Sequence, residues 1–137
     1  MITDTDRRWF SLAMQTAELS PCQFKHGAVV TFKRKPISIG CNILKSSGSI
    51  RRLLQQAKHD PKAELRRNRS DQLHAEVVAI LKARTNLRGA TLYSARYRPS
   101  GLSGDSCPCE SCSQIISLSG ISCVVFWANN ELQKKFI

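Results

Sequence analysis

His74-Ala75-Glu76 and Pro108-Cys109-Glu110-Ser111-Cys112 constrain this chain more than anything else in it. One imidazole and two thiolates, far apart along the sequence, match the donor set of a tetrahedral zinc ion whose fourth position stays open for water. Any fold the chain adopts must bring the two segments to one point. A structural zinc would need a second pair of cysteines or histidines at ligand spacing, whereas His26 and His59 stand singly. The pair Cys109-x-x-Cys112 alone would also suit a redox couple, but that role expects it at the first strand-helix turn. Glu76, two residues from the histidine, is placed to move protons beside the open position without itself binding metal.

Both motifs fall where helices are expected to begin. Leu73 to Ala83 is apolar on most sides and predicts a central helix; Glu110 to Leu118 predicts another, closed by Gly120. Partial positive charge at a helix start lowers the pKa of cysteines, which bind metal as thiolates. Upstream, Trp9, Phe10, Leu12, Ala13, Thr16 and Ala17 recur at helical spacing, predicting a helix from Thr5 to Leu19 that Ser20-Pro21 stops. Gly27 to Phe32 is a buried strand, Lys33-Arg34-Lys35 a turn, and Pro36 to Asn42 the second arm of a hairpin. Ala90 to Ala95 and Ile121 to Trp127 supply two more strands, with Arg96 to Cys107, rich in Pro, Gly and Ser, as a loop between them. Strands alternating with helices predict an α/β layered domain spanning 1–137.

Charge is the other constraint. The 137 residues carry a net charge of +11, and between Lys45 and Arg69 eight basic residues face two acidic ones. Ile50, Leu53, Leu54 and Ala57 give the start of this insert (45–70) the pattern of an amphipathic helix with arginines outside, and Asp60-Pro61 opens another. Such a concentration implies a phosphate-bearing partner, a nucleotide or a nucleic acid, or else a solvated or subunit-contact face. The acidic, polar N-terminus lacks the order of a signal peptide, and no run of about 18 apolar residues could span a membrane. A cytoplasmic protein is expected. In that setting Cys22, Cys41 and Cys123 serve as small apolar residues, while Cys107 leaves a third thiol beside the ligands.

The pattern H-x-E followed by P-C-x-x-C is the signature of zinc nucleobase deaminases, and the chain resembles the cytidine/deoxycytidylate deaminase superfamily over nearly its whole length. Lys25-His26-Gly27-Ala28-Val29-Val30 is similar to that family's first strand, and Gly40-Cys41-Asn42 to the end of its second. Thr91-Leu92-Tyr93-Ser94-Ala95-Arg96 through Ser106 looks like small phage-type and bacterial relatives. The resemblance implies a three-layer α/β/α fold with a mixed sheet and zinc held between two helix N-termini. It implies that His74, Cys109 and Cys112 bind Zn2+ and that Glu76 is the catalytic proton carrier. It further implies substrate contacts from Asn42 to the sugar, from the backbone around Ala75 to the pyrimidine edge, from Ser106 and Pro108, and from Arg96 and Arg98 to a phosphate.

The activity so implied is hydrolytic deamination of a cytosine nucleotide, deoxycytidylate by preference. The alternatives are a deaminase acting on bases in single-stranded DNA or RNA and, with less support, an inactive zinc-stabilised binding module. Two departures stand out. Deoxycytidylate deaminases usually carry asparagine two residues after the glutamate, where this chain has Val78, and the few residues after the fourth strand (129–137) leave the fifth strand and terminal helices of relatives shortened or absent. An apolar, partly open sheet edge would then favour a homo-oligomer.

Overall fold

The computed structural model describes residues 1–44 and 72–137, so the expected helices of the basic insert lie outside the described residues. Helix α1 (Asp4–Glu18) begins at a reciprocal cap: the Thr3 side chain accepts from the Asp6 backbone N–H and the Asp6 carboxylate accepts from that of Thr3. Such pairing satisfies two helix-start donors that otherwise lack partners. Strands β1 (Lys25–Phe32) and β2 (Lys35–Cys41) form the expected hairpin, turned by Lys33 and Arg34 at φ 51° and 67°. After Asn42, the short strands β3 (Ile43–Leu44) and β4 (Gln72–Leu73) pair antiparallel. Helix α2 (Ala75–Ala83), strand β5 (Thr91–Tyr97), strand β6 (Ser103–Gly104), helix α3 (Glu110–Leu118) and strand β7 (Cys123–Ala128) follow.

Two expectations need correcting. The stretch from Arg96 to Cys107 is not all loop: β5 runs on to Tyr97, and β6 pairs with its end, Gly104 opposite Arg96. A further strand, β8 (Glu131–Phe136), also exists beyond β7, joined to it by Asn129 and Asn130 at φ 53° and 60°. Asparagine tolerates this left-handed region better than other non-glycine residues, and two such residues twist a hairpin turn correctly. The β7 edge expected to be open is therefore paired, and Lys134 and Lys135 on β8 make the new edge basic.

The main sheet runs β2-β1-β5-β7-β8, with β6 beside β5; β5 and β7 are parallel and the other pairs antiparallel, so the sheet is mixed as expected. Strand alternation splits its side chains between two cores. Val29, Tyr93 and Val125 meet Phe10 and Ala13 of α1 on one face. Ala28, Val30, Leu92, Val124 and Phe126 meet α2 and α3, through Val77, Ile80, Ile115 and Ile116, on the other. This is the three-layer α/β/α arrangement. Cys22 and Cys123 are buried as expected of small apolar residues, and Cys41 is half-buried.

Helix α1 lies so close to β1 that a methyl group on Gly27 would sit 2.2 Å from the Ala13 carbonyl oxygen. It is also fixed by charge. Buried Asp6 accepts hydrogen bonds from the Tyr93 hydroxyl on β5 (2.7 Å) and Lys134 Nζ on β8 (3.1 Å).

Candidate metal centre and active site

The two motifs meet at the starts of α2 and α3. His74 is the N-cap of α2 and Cys109 the N-cap of α3, both in extended backbone and neither spending its side chain on a capping hydrogen bond. N-cap positions ordinarily carry a side chain that bonds back to the helix amides. Here those positions carry metal-ligand donors instead. Cys112 sits one turn into α3, buried, so that the His74 Nδ1 and both sulfurs lie within 4.8 Å of one another. His74 Nδ1 is 3.2 Å from Cys112 Sγ and 3.5 Å from Cys109 Sγ.

The donor chemistry suits zinc. Hydrogen bonds from Cys112 and then His74 push the Cys109 thiol down to about 3, making it a thiolate at neutral pH. Cys112 is pushed the other way by its hydrogen bond to Cys109 and by burial, the expected outcome where two adjacent sulfurs compete for one negative charge. A divalent cation resolves that competition by stabilising both as thiolates. With one imidazole and two sulfurs, the set leaves one tetrahedral position over.

Beside the triad a cavity of about 140 Å³ is lined by His26, Asn42, Gln72, Glu76, Ser94, Ser106 and Cys107 together with His74 and Cys109. Glu76, in the first turn of α2, is buried at 5% exposure, and burial pushes its carboxyl above the ordinary range despite opposing effects from a backbone N–H and His74. A carboxyl so tuned exchanges protons at a pH nearer neutrality.

The other anticipated contacts fall in different places. Asn42 lines the cavity, but its side chain is engaged: Oδ1 accepts from the His26 backbone N–H (2.9 Å), while Nδ2 donates to the Phe24 carbonyl and Gln72 Oε1. Ser106 also lines it, with its hydroxyl donating to the Ser94 carbonyl (2.6 Å) and accepting from the Trp127 N–H (2.9 Å). Ala75 is fully buried at the first position of α2. Pro108 faces a second, more apolar cavity of about 150 Å³ with Ile116, Val124 and Phe126, and Cys107 borders both. Arg96 and Arg98 do not line the first cavity; their side chains flank Gly104, and the Arg96 guanidinium lies 5.3 Å from the centre of the Phe24 ring.

Four lining residues were not anticipated from sequence: His26, Gln72, Ser94 and Cys107. The signal for two of them was strand phase. His26 lies two residues before Ala28, and Ser94 two after Leu92, so both share the sheet face that carries α2.

Fold and site together define an α/β/α zinc domain with three metal donors among the described residues. The chain belongs to the cytidine and deoxycytidylate deaminase zinc-binding family, whose model matches residues 3–128. Deamination in this family is hydrolysis of a carbon–nitrogen bond. The fold is shared with cytidine deaminase from Burkholderia pseudomallei (TM-score 0.62, 17% identity, 95% of this chain and 91% of that one). It is shared also with dCMP deaminase from cyanophage S-TIM5 (TM-score 0.59, 20% identity, 89% and 81%). Cytidine deaminase from Mycobacterium tuberculosis is a third (TM-score 0.55, 16% identity, 93% and 87%). No curated protein sequence matches significantly.

Proposed function

We propose that this protein is a zinc-dependent hydrolytic deaminase that converts a cytosine nucleotide, deoxycytidylate by preference, to its uracil form with release of ammonia. One observation carries the reading: the buried Glu76 carboxyl and the His74, Cys109 and Cys112 donors border one cavity. When bound, zinc supplies a Lewis acid that makes water a nucleophile near neutral pH. His74 at the N-cap of α2, with Cys109 at the N-cap of α3 and Cys112 in its first turn, would hold it.

Glu76 carries the protons. Its carboxylate accepts one from water, delivers it to the ring nitrogen beside the amine-bearing carbon, and passes another to the leaving amine. Oxygen is added, the carbon–nitrogen bond breaks, and ammonia leaves. Asn42 and Ser106, with their polar atoms fixed by backbone groups, shape the pocket wall rather than swing toward solvent. That rigidity favours one base orientation. Support for a nucleotide, rather than a free base, comes from Arg96 and Arg98 near the pocket, neither in an ion pair with a described residue. The catalytic unit is the single domain 1–137, acting in the cytoplasm. No described helix is long and apolar enough to cross a membrane. Exposed Ile37 and Ile39 on edge strand β2 support self-association.

The test is ammonia release from purified zinc-loaded protein given dCMP, deoxycytidine, cytosine and a cytosine-containing oligonucleotide. Turnover highest with dCMP is expected. Turnover confined to the oligonucleotide would replace this reading with a nucleic-acid deaminase, and none at all would leave a zinc-stabilised binding module.

A further inference from the structure

Among the described residues the main sheet has two outer strands, β2 and β8, and they differ in what they offer a neighbouring chain. β2 carries Pro36, which has no N–H to donate, and its register with β1 slips at Ile37, between the pairs Val30–Ser38 and Thr31–Pro36. A proline and a bulge both blunt a sheet edge against strand addition. β8 has neither. It pairs with β7 in unbroken register from Glu131, opposite Ala128, to Phe136, opposite Cys123.

The register also says which main-chain groups point outward. Because the Asn129-Asn130 turn is two residues long, Ala128 and Glu131 exchange hydrogen bonds, and alternate pairs after them do the same. The Ile137 N–H, donating to the Ser122 carbonyl (2.9 Å), keeps that phase. The N–H and C=O groups of Leu132, Lys134 and Phe136 therefore face away from β7, and no described strand meets them. Such a row of main-chain groups is a template for one more strand.

The side chains beside the edge define its occupant. On one sheet face Lys135 and Ile137 border the apolar cavity of about 150 Å³ that Ile116, Val124 and Phe126 also line. On the other, Phe136 is 72% exposed. Lys134 is neutralised by Asp6, whereas the exposed Lys135 is in no ion pair with a described residue. A second copy of the chain fits poorly, because pairing β8 with itself would bring lysine beside lysine, and like charges across a ladder are destabilising. An acidic strand meets the same lysine favourably.

We propose that the β8 edge accepts an extended segment of another protein as an added antiparallel strand. Its acidic side chain lies opposite Lys135, and an apolar one, two positions away, lies opposite Ile137 at the mouth of the cavity. Main-chain hydrogen bonds supply the affinity, while the cavity and Lys135 select the sequence.

The probe is the capped peptide Leu-Val-Glu-Thr-Thr-Val, which in antiparallel order sets its leucine opposite Ile137 and its glutamate opposite Lys135. It is added to the zinc-loaded full chain, and amide hydrogen exchange is followed by NMR. Protection should rise at Leu132, Lys134 and Phe136, while the Gln133 and Lys135 amides, already bonded to β7, change little. The same peptide with lysine in place of glutamate should bind at least about tenfold more weakly, and Lys135→Glu should reverse that preference. N-methylation of the peptide amides that face β8 should abolish binding. Equal binding of the acidic and basic peptides would overturn the proposal, as would binding without protection at the three outward amides. Binding of neither peptide would also overturn it and leave the lysines as guards of the edge. Protection that rises with protein concentration alone would replace the partner with a second copy. Circular dichroism checks the fold of Lys135→Glu, and the peptide substitution tests the charge without it. None of these readouts needs turnover, so their failure and that of the deaminase reading are separate.

Discussion

Replacing Gly27 by alanine adds one methyl group at the tightest helix–sheet contact made by a glycine among the described residues. The new carbon would stand 2.2 Å from the Ala13 oxygen, 2.5 Å from the Ala17 nitrogen and 3.0 Å from its Cα. All three are backbone atoms, so no side chain can rotate away. Ordinary contact begins at 3.4 Å, and α1 must therefore lift by about 1 Å, enough to forfeit a quarter to a half of the dispersion energy across that interface. The lift also stretches the hydrogen bonds from Asp6 to Tyr93 and Lys134. Overpacking of this kind costs about 3 kcal/mol, and the stiffer unfolded chain returns only about 0.5 kcal/mol. Thermal unfolding followed by circular dichroism should show a fall of roughly 10 °C for a domain of this size. Gly104→Ala is the control, since the atoms in its way belong to the flexible arginines Arg96 and Arg98; its cost should stay below about 1 kcal/mol. If Gly27→Ala melts no lower than Gly104→Ala, close packing does not set the α1–β1 spacing.

Four further outcomes are expected. Asp6→Asn should cost about 2–4 kcal/mol at neutral pH, because it leaves Lys134 without its anion in a largely buried site. Burial would raise the Asp6 carboxyl, but hydrogen bonds from Thr3, Tyr93 and Lys134 outweigh it and hold the group below 3.8. The stabilisation is thus complete above the unfolded-state value and lost as pH falls through the folded one. Denaturant titrations from pH 7 to pH 2 should show the wild-type advantage shrinking below about pH 4; a constant gap would contradict the assignment. Chelation should lower the melting temperature in proportion to zinc lost, worth about 4 kcal/mol when free zinc exceeds its dissociation constant a thousandfold. Cys112→Ser should reduce zinc content measured by atomic absorption. Glu76→Gln should keep its zinc while turnover falls by at least about a hundredfold; loss of zinc from this variant would make Glu76 a ligand instead.

Much of the site was legible because metal chemistry resides in residue type and spacing. His74, Cys109 and Cys112 announce their role without reference to neighbours, and the apolar run after His74 announces the helix that positions Glu76. Strand β8 was missed for a reason found in its turn: Asn129-Asn130 has no glycine, and the strand beyond carries Lys134 and Lys135 where an apolar alternation would have drawn notice. The Lys33-Arg34 turn was placed correctly by the apolar runs around it, although neither residue favours the positive φ it adopts. The two-residue strand β6 leaves no periodicity to detect. His26 was illegible for another reason. Strand phase gives its sheet face, but not the cavity, which exists only when β1, β4, β5 and the two motif helices have assembled around it.

The bonds from Asp6 also order events in time. A ribosome makes α1 first, but the groups that fix it, Tyr93 and Lys134, follow 87 and 128 residues later. Until they emerge, only the β1–β2 hairpin is there to meet the face carrying Phe10 and Ala13, and the Asp6 carboxylate remains in water. Closing so long a span is entropically costly and places docking of the first helix late in folding. For much of its synthesis the chain therefore displays an amphipathic helix only partly covered, the kind of surface that chaperones bind and that nucleates aggregation when they do not.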